Sequence, residues 1–458
     1  MIINADSIHI PLVDNGIHMV VTSPPYWGLR KYDGVGNSIW PSVTYTPMPG
    51  MPSVTMPGDA ECEHDWTDHS YQRRSNDNGK TPKQLSNAGA NQRDEPIPSY
   101  FCVKCGAWRG MLGLEPTPEL YVAHLVLVFR EVWRVLRDDG CVFLNLGDSY
   151  VRSMPDATRG SQRYRLRDDL TPQLKPKDLC MIPARVALAL QADGWYLRSD
   201  IIWAKGLSFC DEYAGSCMPE SVRDRPTKAH ENVFLLAKNE RYYYDAEAVK
   251  EATVRGAAGS TFNGGKTAFH QLGRASNKPR QEQSTRNLRD VWAINPAGYR
   301  GAHFATFPPD LVAPCILAGT SLRGACPECG APWERVVEKE LIDTEGWGVQ
   351  EKDHTGNLLG AQSMIRDGKG RAGDSISKTT GWRPTCDHDA DPVPATVLDP
   401  FCGSGTVGEV CRETGRRFVG LDLSETYLRD LALPRAELKQ TIQAVSSLPL
   451  FGDNLAKE

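Results

Sequence analysis

The stretch "VLDPFCGSGTVGEV" (397–410) decides the fold. An apolar run ends at Asp399, a glycine-rich turn follows, and a helical pattern begins after Gly405. Strand, glycine turn and helix in that order let the backbone approach a ligand closely, with free N–H groups of the helix start aimed at it. The spacing is neither G-x-G-x-x-G nor a phosphate loop, because no Gly-Lys-Ser/Thr follows. Asp399 at the strand end suits a cationic amine, which a phosphate site would avoid. A second strand, "FVGLDLS" (418–424), ends in Asp422, placed to take the two hydroxyls of a ribose. An amino-acid end at Asp399 and a ribose at Asp422 together describe S-adenosylmethionine.

Outward from this turn, strands alternate with helices. "PELYVAHLVLVFREVWRVLRDDG" (118–140) carries helical spacing and is expected to end at Asp-Gly, ahead of a buried strand in "CVFLNLGDSY" (141–150). "IPARVALALQADGWYLRSDIIWAKG" (182–206) repeats helix then strand, and "ENVFLLAKNERYYYD" (231–245) reads as a strand at the sheet edge. "PPDLVAPCILAGTS" (308–321) reads as a helix, and a helix is expected after the strand at 418–424. The alternation predicts an α/β protein with a mostly parallel, Rossmann-like sheet and helices on both faces.

The chain has 458 residues, enough for more than one domain, with 40% hydrophobic and 24% charged residues and a net charge of −5. No apolar run approaches the roughly 18 residues of a membrane span, and the N-terminus lacks a signal-peptide core, so no membrane partner and a cytoplasmic location are expected. Charge is uneven. Residues 250–300 hold nine Lys/Arg against three Asp/Glu amid Gly, Ser, Asn and aromatics, a composition suited to nucleic acid. Residues 151–178 hold seven basic against four acidic residues and read as a solvated loop or a second basic surface.

Near the N-terminus, "MVVTSPPYWGL" (19–29) runs a buried strand into Ser23, two prolines and two aromatics. Consecutive prolines fix a rigid ledge beside a flat apolar wall. "TSPPY" (22–26) together with "DPFCGSGT" (399–406) resembles the two defining motifs of the DNA amino-methyltransferases, which methylate N4 of cytosine or N6 of adenine. The resemblance extends through "SDIIWAK" (199–205), "MPESVRDRPTKAHENVFLLAKN" (218–239), "YYYD" (242–245) and "FATFPPDLV" (304–312). The catalytic motif comes first and the cofactor motif last, which resembles the circularly permuted β-class order.

The chemistry accounts for the residue types. The lone pair of an aromatic amine is delocalised into its ring, so acceptors around its two protons are needed to free it. The Ser23 hydroxyl and the Pro24 carbonyl are assigned that work, with Pro25 holding the carbonyl fixed. Tyr26 would stack on a base flipped out of double-stranded DNA. No covalent intermediate and no cysteine nucleophile are needed. The resemblance further implies cofactor contacts at Asp6, Phe304, Pro308, Phe401, Gly403, Gly405 and Thr406, beside Asp399 and Asp422. At Asp6 the sequence "NAD" departs from the more common "GD". Ser in the first ledge position is commoner in the cytosine-N4 group, so N4 of cytosine is preferred over N6 of adenine. The family also implies a homodimer and a cognate restriction endonuclease as partners, in a bacterium or a phage-infected host.

Thirteen cysteines in a chain of this kind are not a disulfide framework. Cys141, Cys180, Cys315 and Cys411 stand singly, as small core hydrophobes do. The others include "CEH" (62–64) with "CVKC" (102–105), and "CPEC" (326–329) with "CDH" (386–388). Each set, Cys62, His64, Cys102 and Cys105 or Cys326, Cys329, Cys386 and His388, offers three thiols and an imidazole, suited to a structural, tetrahedral Zn²⁺. The half-sites could also cross between insertions. Such a site would staple inserts that lack a core of their own.

Three rivals were weighed. A cytosine-C5 methyltransferase needs Pro-Cys and Glu-Asn-Val; Pro314-Cys315 and Glu231-Asn232-Val233 are present but in reversed order. A protein or small-molecule N-methyltransferase would not call for residues 250–300. A non-catalytic zinc-bearing DNA-binding protein would not need Ser23, Tyr26, Asp399 and Asp422 together. The resulting division places the start of the catalytic domain in 1–26, a zinc insertion in 27–117, the α/β core in 118–249 and a basic target-recognition segment in 250–300. A cofactor-pocket helix follows in 301–322, a second zinc insertion in 323–394, the cofactor strand-turn-helix and second strand in 395–445, and a tail in 446–458.

Overall fold

A computed structural model describes residues 1–28, 37–66, 69–71, 97–151, 174–252 except 211, 212, 214 and 218, then 285–296, 307–341 and 375–436. Eight strands form one sheet: β1 (Ile2–Asn4), β2 (Ile17–Thr22), β3 (Leu136–Leu146), β4 (Tyr196–Ala204), β5 (His230–Ala237), β6 (Val291–Ala293), β7 (Thr396–Asp399) and β8 (Arg417–Asp422). Their spatial order is β1-β8-β7-β2-β3-β5-β4-β6. Every neighbouring pair is parallel except the two pairs made by β5. The last strands of the chain therefore sit mid-sheet, with β7 wedged between β8 and β2.

Side-chain parity along β2 sorts the core into two layers. Val20 faces helices α1 (Pro118–Val135) and α2 (Ile182–Ala192), with Leu144, Leu398 and Val419. Met19 and Val21 face α3 (Pro309–Gly319) and α4 (Thr406–Thr414), with Phe143, Val397 and Cys315. Helices thus cover both faces, and each fully buried side chain of this size contributes about 1.5–3 kcal/mol. Helix α1 starts where Thr117 Oγ accepts the Leu120 N–H and Pro118 takes the first helical position. Cys141, Cys180, Cys315 and Cys411 are all buried in this core.

Three sequence expectations change. Helix α1 stops at Val135, and Leu136 to Gly140 already belong to β3. Between the pairs Ile17–Leu136 and Met19–Cys141, β3 spends five residues against two of β2. That bulge absorbs the Asp-Gly pair, and the Arg137 guanidinium clasps the Asp139 carboxylate across it. Strand β5 lies inside the sheet, antiparallel between β3 and β4. Its run Val233 to Ala237 is apolar on both faces and fully buried, which an edge would not require; the tyrosines at 242–244 leave the sheet altogether. After β8 the chain forms short turns over Glu425–Tyr427, Leu428–Ala432 and Leu433–Arg435, the middle one a π-helix, in place of one regular helix.

Each insertion forms its own small sheet. The first pairs Ser38–Ile39, Trp108–Gly110, Ile97–Phe101 and His69–Tyr71 in that order, beside a ribbon of Val43–Tyr45 and Val54–Met56. The second is a ribbon of Glu334–Leu341 against Ser375–Arg383. Most of 250–300, and all of 253–284, lie outside the described residues, as does Phe304. Among the described residues no helix is long and apolar enough to cross a membrane.

Candidate active site and metal clusters

Strands β7 and β2 are adjacent, but their helical connections leave to opposite sides, to β8 through α4 and to β3 through α1. That switch point opens a crevice at the strand ends, where ligands of open α/β sheets bind. The two sequence motifs meet there. Thr22 Oγ1 donates to Asp399 Oδ1 at 2.7 Å, and the Phe401 N–H donates to the same oxygen at 3.1 Å. Burial, opposed by those two bonds, pushes the Asp399 carboxyl up to about 7. Both bonds fall on Oδ1, so Oδ2 is the oxygen left for an incoming cation.

The glycine turn is locked to the next strand. Asp422 Oδ2 accepts the Gly403 N–H at 2.9 Å, Oδ1 accepts the Ser424 N–H at 2.8 Å, and burial raises the Asp422 carboxyl. Each oxygen keeps a second lone pair for a hydroxyl. The two glycines differ. Gly403, at φ 49°, meets no atom within 3.9 Å of an added Cβ and borders open space, whereas a Cβ on Gly405, at φ 80°, would lie 2.8 Å from the Ala432 Cα. Gly405 and the buried Thr406 therefore serve the turn's packing, and Gly403 has room for a side chain. Asp6 follows β1, whose Asn4 pairs with Asp422. Its carboxylate accepts the Ile8 N–H and the Ser38 hydroxyl. Pro308 is the residue ahead of α3, with its carbonyl accepting the Leu311 N–H, and is buried against the core.

The ledge continues β2 directly. Tyr121 of α1 donates its hydroxyl to the Pro25 carbonyl at 2.9 Å, and Trp27 Nε1 donates to the Glu115 carbonyl at 2.9 Å. Tyr26 is held harder than a free stacking platform. Its ring lies against Gly147, where a Cβ would come within 2.6 Å. Its hydroxyl meets Glu231 Oε2 at 2.7 Å and Asn145 Oδ1 at 2.8 Å, and receives the Ser23 hydroxyl proton at 3.1 Å. Burial pushes that phenol well above its ordinary value. Lys205, at the end of β4, closes on the other oxygen of Glu231.

Sequence reading missed Glu231, Asn145, Thr22 and Tyr121. In the sequence Glu231 stands out only as a fragment of a rival motif, and no local pattern ties it to residue 26; the register of β5 on β3 does. Cys315, the rival's nucleophile, is fully buried in α3 with its thiol pushed far up by burial. A thiol held protonated in a dry core is no nucleophile.

Both cysteine clusters assemble within their own insertion. In Cys62, His64, Cys102 and Cys105, and again in Cys326, Cys329, Cys386 and His388, the four ligand atoms lie within 4.8 Å of one another. In the first, Cys62 and Cys102 Sγ are 3.9 Å apart and Cys105 Sγ is 3.6 Å from His64 Nδ1. A tetrahedral zinc with bonds of about 2.0–2.3 Å has edges of roughly 3.3–3.8 Å, so the donor set fits. The two knuckles are built alike. Gly106 and Gly330, at φ 75° and 72°, return their N–H to the carbonyls of Cys102 and Cys326, each at 2.9 Å. The first knuckle continues into Trp108, stacked on His124 of α1, and the second docks under the sheet through Arg137 and His18.

A mixed sheet with one antiparallel strand, a glycine turn and a Ser-Pro-Pro-Tyr ledge at its switch point define a Rossmann-like methyltransferase. The family model for N6/N4 methyltransferases, described as DNA methylase, matches residues 17–325 and 392–433, and the chain belongs to that family. It is 33% identical over 349 residues to the Type II methyltransferase M.Cfr9I of Citrobacter freundii, covering 75% of this chain and 80% of that one. It is likewise 33% identical over 342 residues to the Type II methyltransferase M.SmaI of Serratia marcescens, covering 72% and 79%. With M.XycI of Xanthomonas campestris pv. cyanopsidis the identity is 32% over 336 residues, 72% of this chain and 76% of the relative.

Proposed function

We propose that the chain methylates the exocyclic N4 amine of cytosine at a specific site in double-stranded DNA, taking the methyl group from S-adenosylmethionine by direct transfer to a flipped-out base. The observation that carries this reading is the Ser23 hydroxyl. It gives its own proton to Tyr26 and so keeps its lone pairs free to accept. An amine proton would find an acceptor there and at the Pro24 carbonyl, freeing the ring nitrogen's lone pair. The cofactor's ammonium would meet Asp399, its ribose Asp422, and Asp6 would lie on the adenine side. Residues 250–300 would read the sequence, with Arg or Asn side chains on base edges. Ser23 at the head of the ledge favours cytosine N4 over adenine N6. Family membership supports DNA as substrate, and Type II relatives support a restriction-modification setting; a cognate endonuclease, a cytoplasmic location and a homodimer complete the proposal.

We further propose that each Cys₃His cluster holds a structural Zn²⁺. The thiolates and imidazole would bind it, and the metal would supply cross-linking to inserts with little core.

The test is methylation of unmethylated genomic DNA with tritiated S-adenosylmethionine, followed by digestion to nucleosides and mass spectrometry. N4-methylcytosine is expected with wild type and none with Ser23→Ala. N6-methyladenine would overturn the choice of base. Label absent from every nucleoside in wild type and variant alike would overturn the enzyme reading in favour of a zinc-bearing DNA-binding protein.

A further inference from the structure

Methylation of an exocyclic amine leaves the nitrogen with one proton too many, and that proton must leave a pocket lined by prolines and aromatics. The ledge carries a directed path for it. Ser23 Oγ donates to the Tyr26 hydroxyl at 3.1 Å, and Tyr26 donates to Glu231 Oε2 at 2.7 Å. Lys205 occupies Oε1 of the same carboxylate, so Oε2 is the oxygen that meets the phenol. Every bond in this series points the same way, from the ledge to Glu231. The Glu231 side chain is 14% exposed and Lys205 21%, so the far end of the series reaches water.

We propose that Glu231 is the terminal acceptor of a proton-release chain, Ser23–Tyr26–Glu231, that carries away the amine proton displaced by methyl transfer. The proposal rests on the methyltransferase reading above. The nitrogen lone pair forms the N–C bond while the S–C bond breaks and leaves its pair on sulfur. An N–H proton then passes to Ser23 Oγ, the Ser23 proton to Tyr26, and the Tyr26 proton to Glu231 Oε2. The products are a methylated neutral amine, unchanged Ser23 and Tyr26, and a neutral glutamic acid that returns its proton to solvent. Atoms and charge balance with no further reactant. Glu231 touches no reacting atom and is a positioning and relay residue.

Two features support the chain. Burial holds the Tyr26 phenol far above neutral pH, so it stays protonated and hands on a proton only as it receives one. Asn145, whose Nδ2 donates to the Asn232 carbonyl on β5, holds the phenol oxygen from β3 as a second acceptor of the same proton at 2.8 Å, and the Glu231 carboxylate at 2.7 Å is the more basic of the two. The charged and titratable groups around Glu231 are Lys205 just after β4, Tyr26 with Tyr121 behind it, and His230 beside it on β5. Beyond His230 stand Lys228, Asp148 and Asp200.

The test compares wild type with Tyr26→Phe, Glu231→Gln and Glu231→Asp. Methyl transfer from tritiated S-adenosylmethionine to unmethylated genomic DNA is timed with enzyme in excess from pH 6 to 9. Cofactor and DNA affinities are measured alongside. Tyr26→Phe and Glu231→Gln should lower kcat at least about tenfold at pH 7, the scale of a lost proton-transfer partner. The deficit should shrink as pH rises, because hydroxide takes over, and Glu231→Asp should recover part of the rate. Affinities should not move. If kcat superimposes on wild type at every pH, or falls by a pH-independent factor together with DNA or cofactor affinity, the relay is overturned. Should Glu231→Gln fail to fold, Tyr26→Phe decides alone, since it removes one oxygen from an otherwise unchanged ring. A wild type that labels no base would sink the methyltransferase reading, and the relay with it.

Discussion

Thr22 and Asp399 stand 377 residues apart in the chain and share a 2.7 Å hydrogen bond at the mouth of the sheet. One closes the strand that leads into the Ser-Pro-Pro-Tyr ledge, the other closes the strand that leads into the glycine turn. The bond fixes the distance between the two motifs, and the pairing of Val397 with Met19 and Leu398 with Val20 sets its register. A permuted chain needs such a tie, because no short loop joins its catalytic and cofactor halves.

The proposed contact of Asp399 with the cofactor's ammonium should make cofactor binding depend on pH. Its carboxyl, ordinarily near 3.8, is raised to about 7 by burial. A raised carboxyl is ionised at a cost to the folded state, so its contribution to stability is largest in acid and falls as pH climbs from about 4 to 7. An ammonium in the crevice reverses that preference and drives the proton off. S-adenosylmethionine should therefore bind more tightly as pH rises toward 7, by up to about tenfold per unit, and level off above it. Calorimetric titration at pH 6 in two buffers of different ionisation enthalpy should register close to one proton released per cofactor. In Asp399→Asn that release should vanish.

The two glycines of the turn should separate stability from binding. Gly405→Ala puts a methyl 2.8 Å from the Ala432 backbone at φ 80°, so it should cost on the order of 1–3 kcal/mol in unfolding free energy. Gly403→Ala faces open space at φ 49° and should cost about 1 kcal/mol or less. On the proposed placement of the cofactor at this turn, the added methyl should lower cofactor affinity. Thermal melts and cofactor titrations on both variants check the pair.

Much of this was legible in the sequence, and the residues show why. Ser23, Asp399 and Asp422 sit at strand ends beside Pro or Gly, where residue type and chain direction leave few readings. The cysteine sets were legible because Cys-x-x-Cys-Gly repeats itself. Glu231 was not, since its role depends on which strand neighbours β3. The strand at 231–245 read as an edge, and its pairing with both β3 and β4 and the burial of both faces of Val233 to Ala237 place it inside. The bulge at 137–140 was hidden for a similar reason. Asp-Gly ends helices more often than it opens strands, and here the pairing with β2 overrode local preference.

Two zinc ions per chain are expected by elemental analysis of the protein as purified. Cys102→Ser and Cys326→Ser should each lower the count by one and the double variant by two, whereas a site shared by Cys102 and Cys326 would leave the double variant one ion. The consequences should differ by position. The first knuckle reaches α1 through Trp108 and His124, close to the ledge, so its loss should depress methylation as well as stability. The second docks on Arg137 and His18 at the opposite ends of the strands. Its loss should lower the melting temperature with less effect on the rate of the folded fraction.

The contact between that first insertion and the ledge turns on a buried pair. His124 lies flat between Trp40, 4.0 Å away, and Trp108, 5.4 Å away, and its Nδ1 sits 2.9 Å from Glu115 Oε1. The other oxygen of Glu115 accepts the Gly113 N–H, and its carbonyl accepts Trp27 Nε1. Burial, partly offset by Glu115, lowers the His124 pKa below its ordinary 6.5. A lowered histidine must take up a proton on unfolding in acid, so its share of stability is intact above pH 6.5 and is lost as pH falls below it. His124→Phe keeps the stack but strands a Glu115 oxygen, and should cost about 1–3 kcal/mol at pH 7. The same variant should lose less additional stability between pH 7 and 5.5 than wild type does, because the buried imidazole is gone. Urea unfolding at both pH values measures the two differences. Equal slopes with pH would mean that His124 titrates alike in the folded and unfolded protein, and a smaller loss in wild type than in the variant would mean that it is already charged when folded.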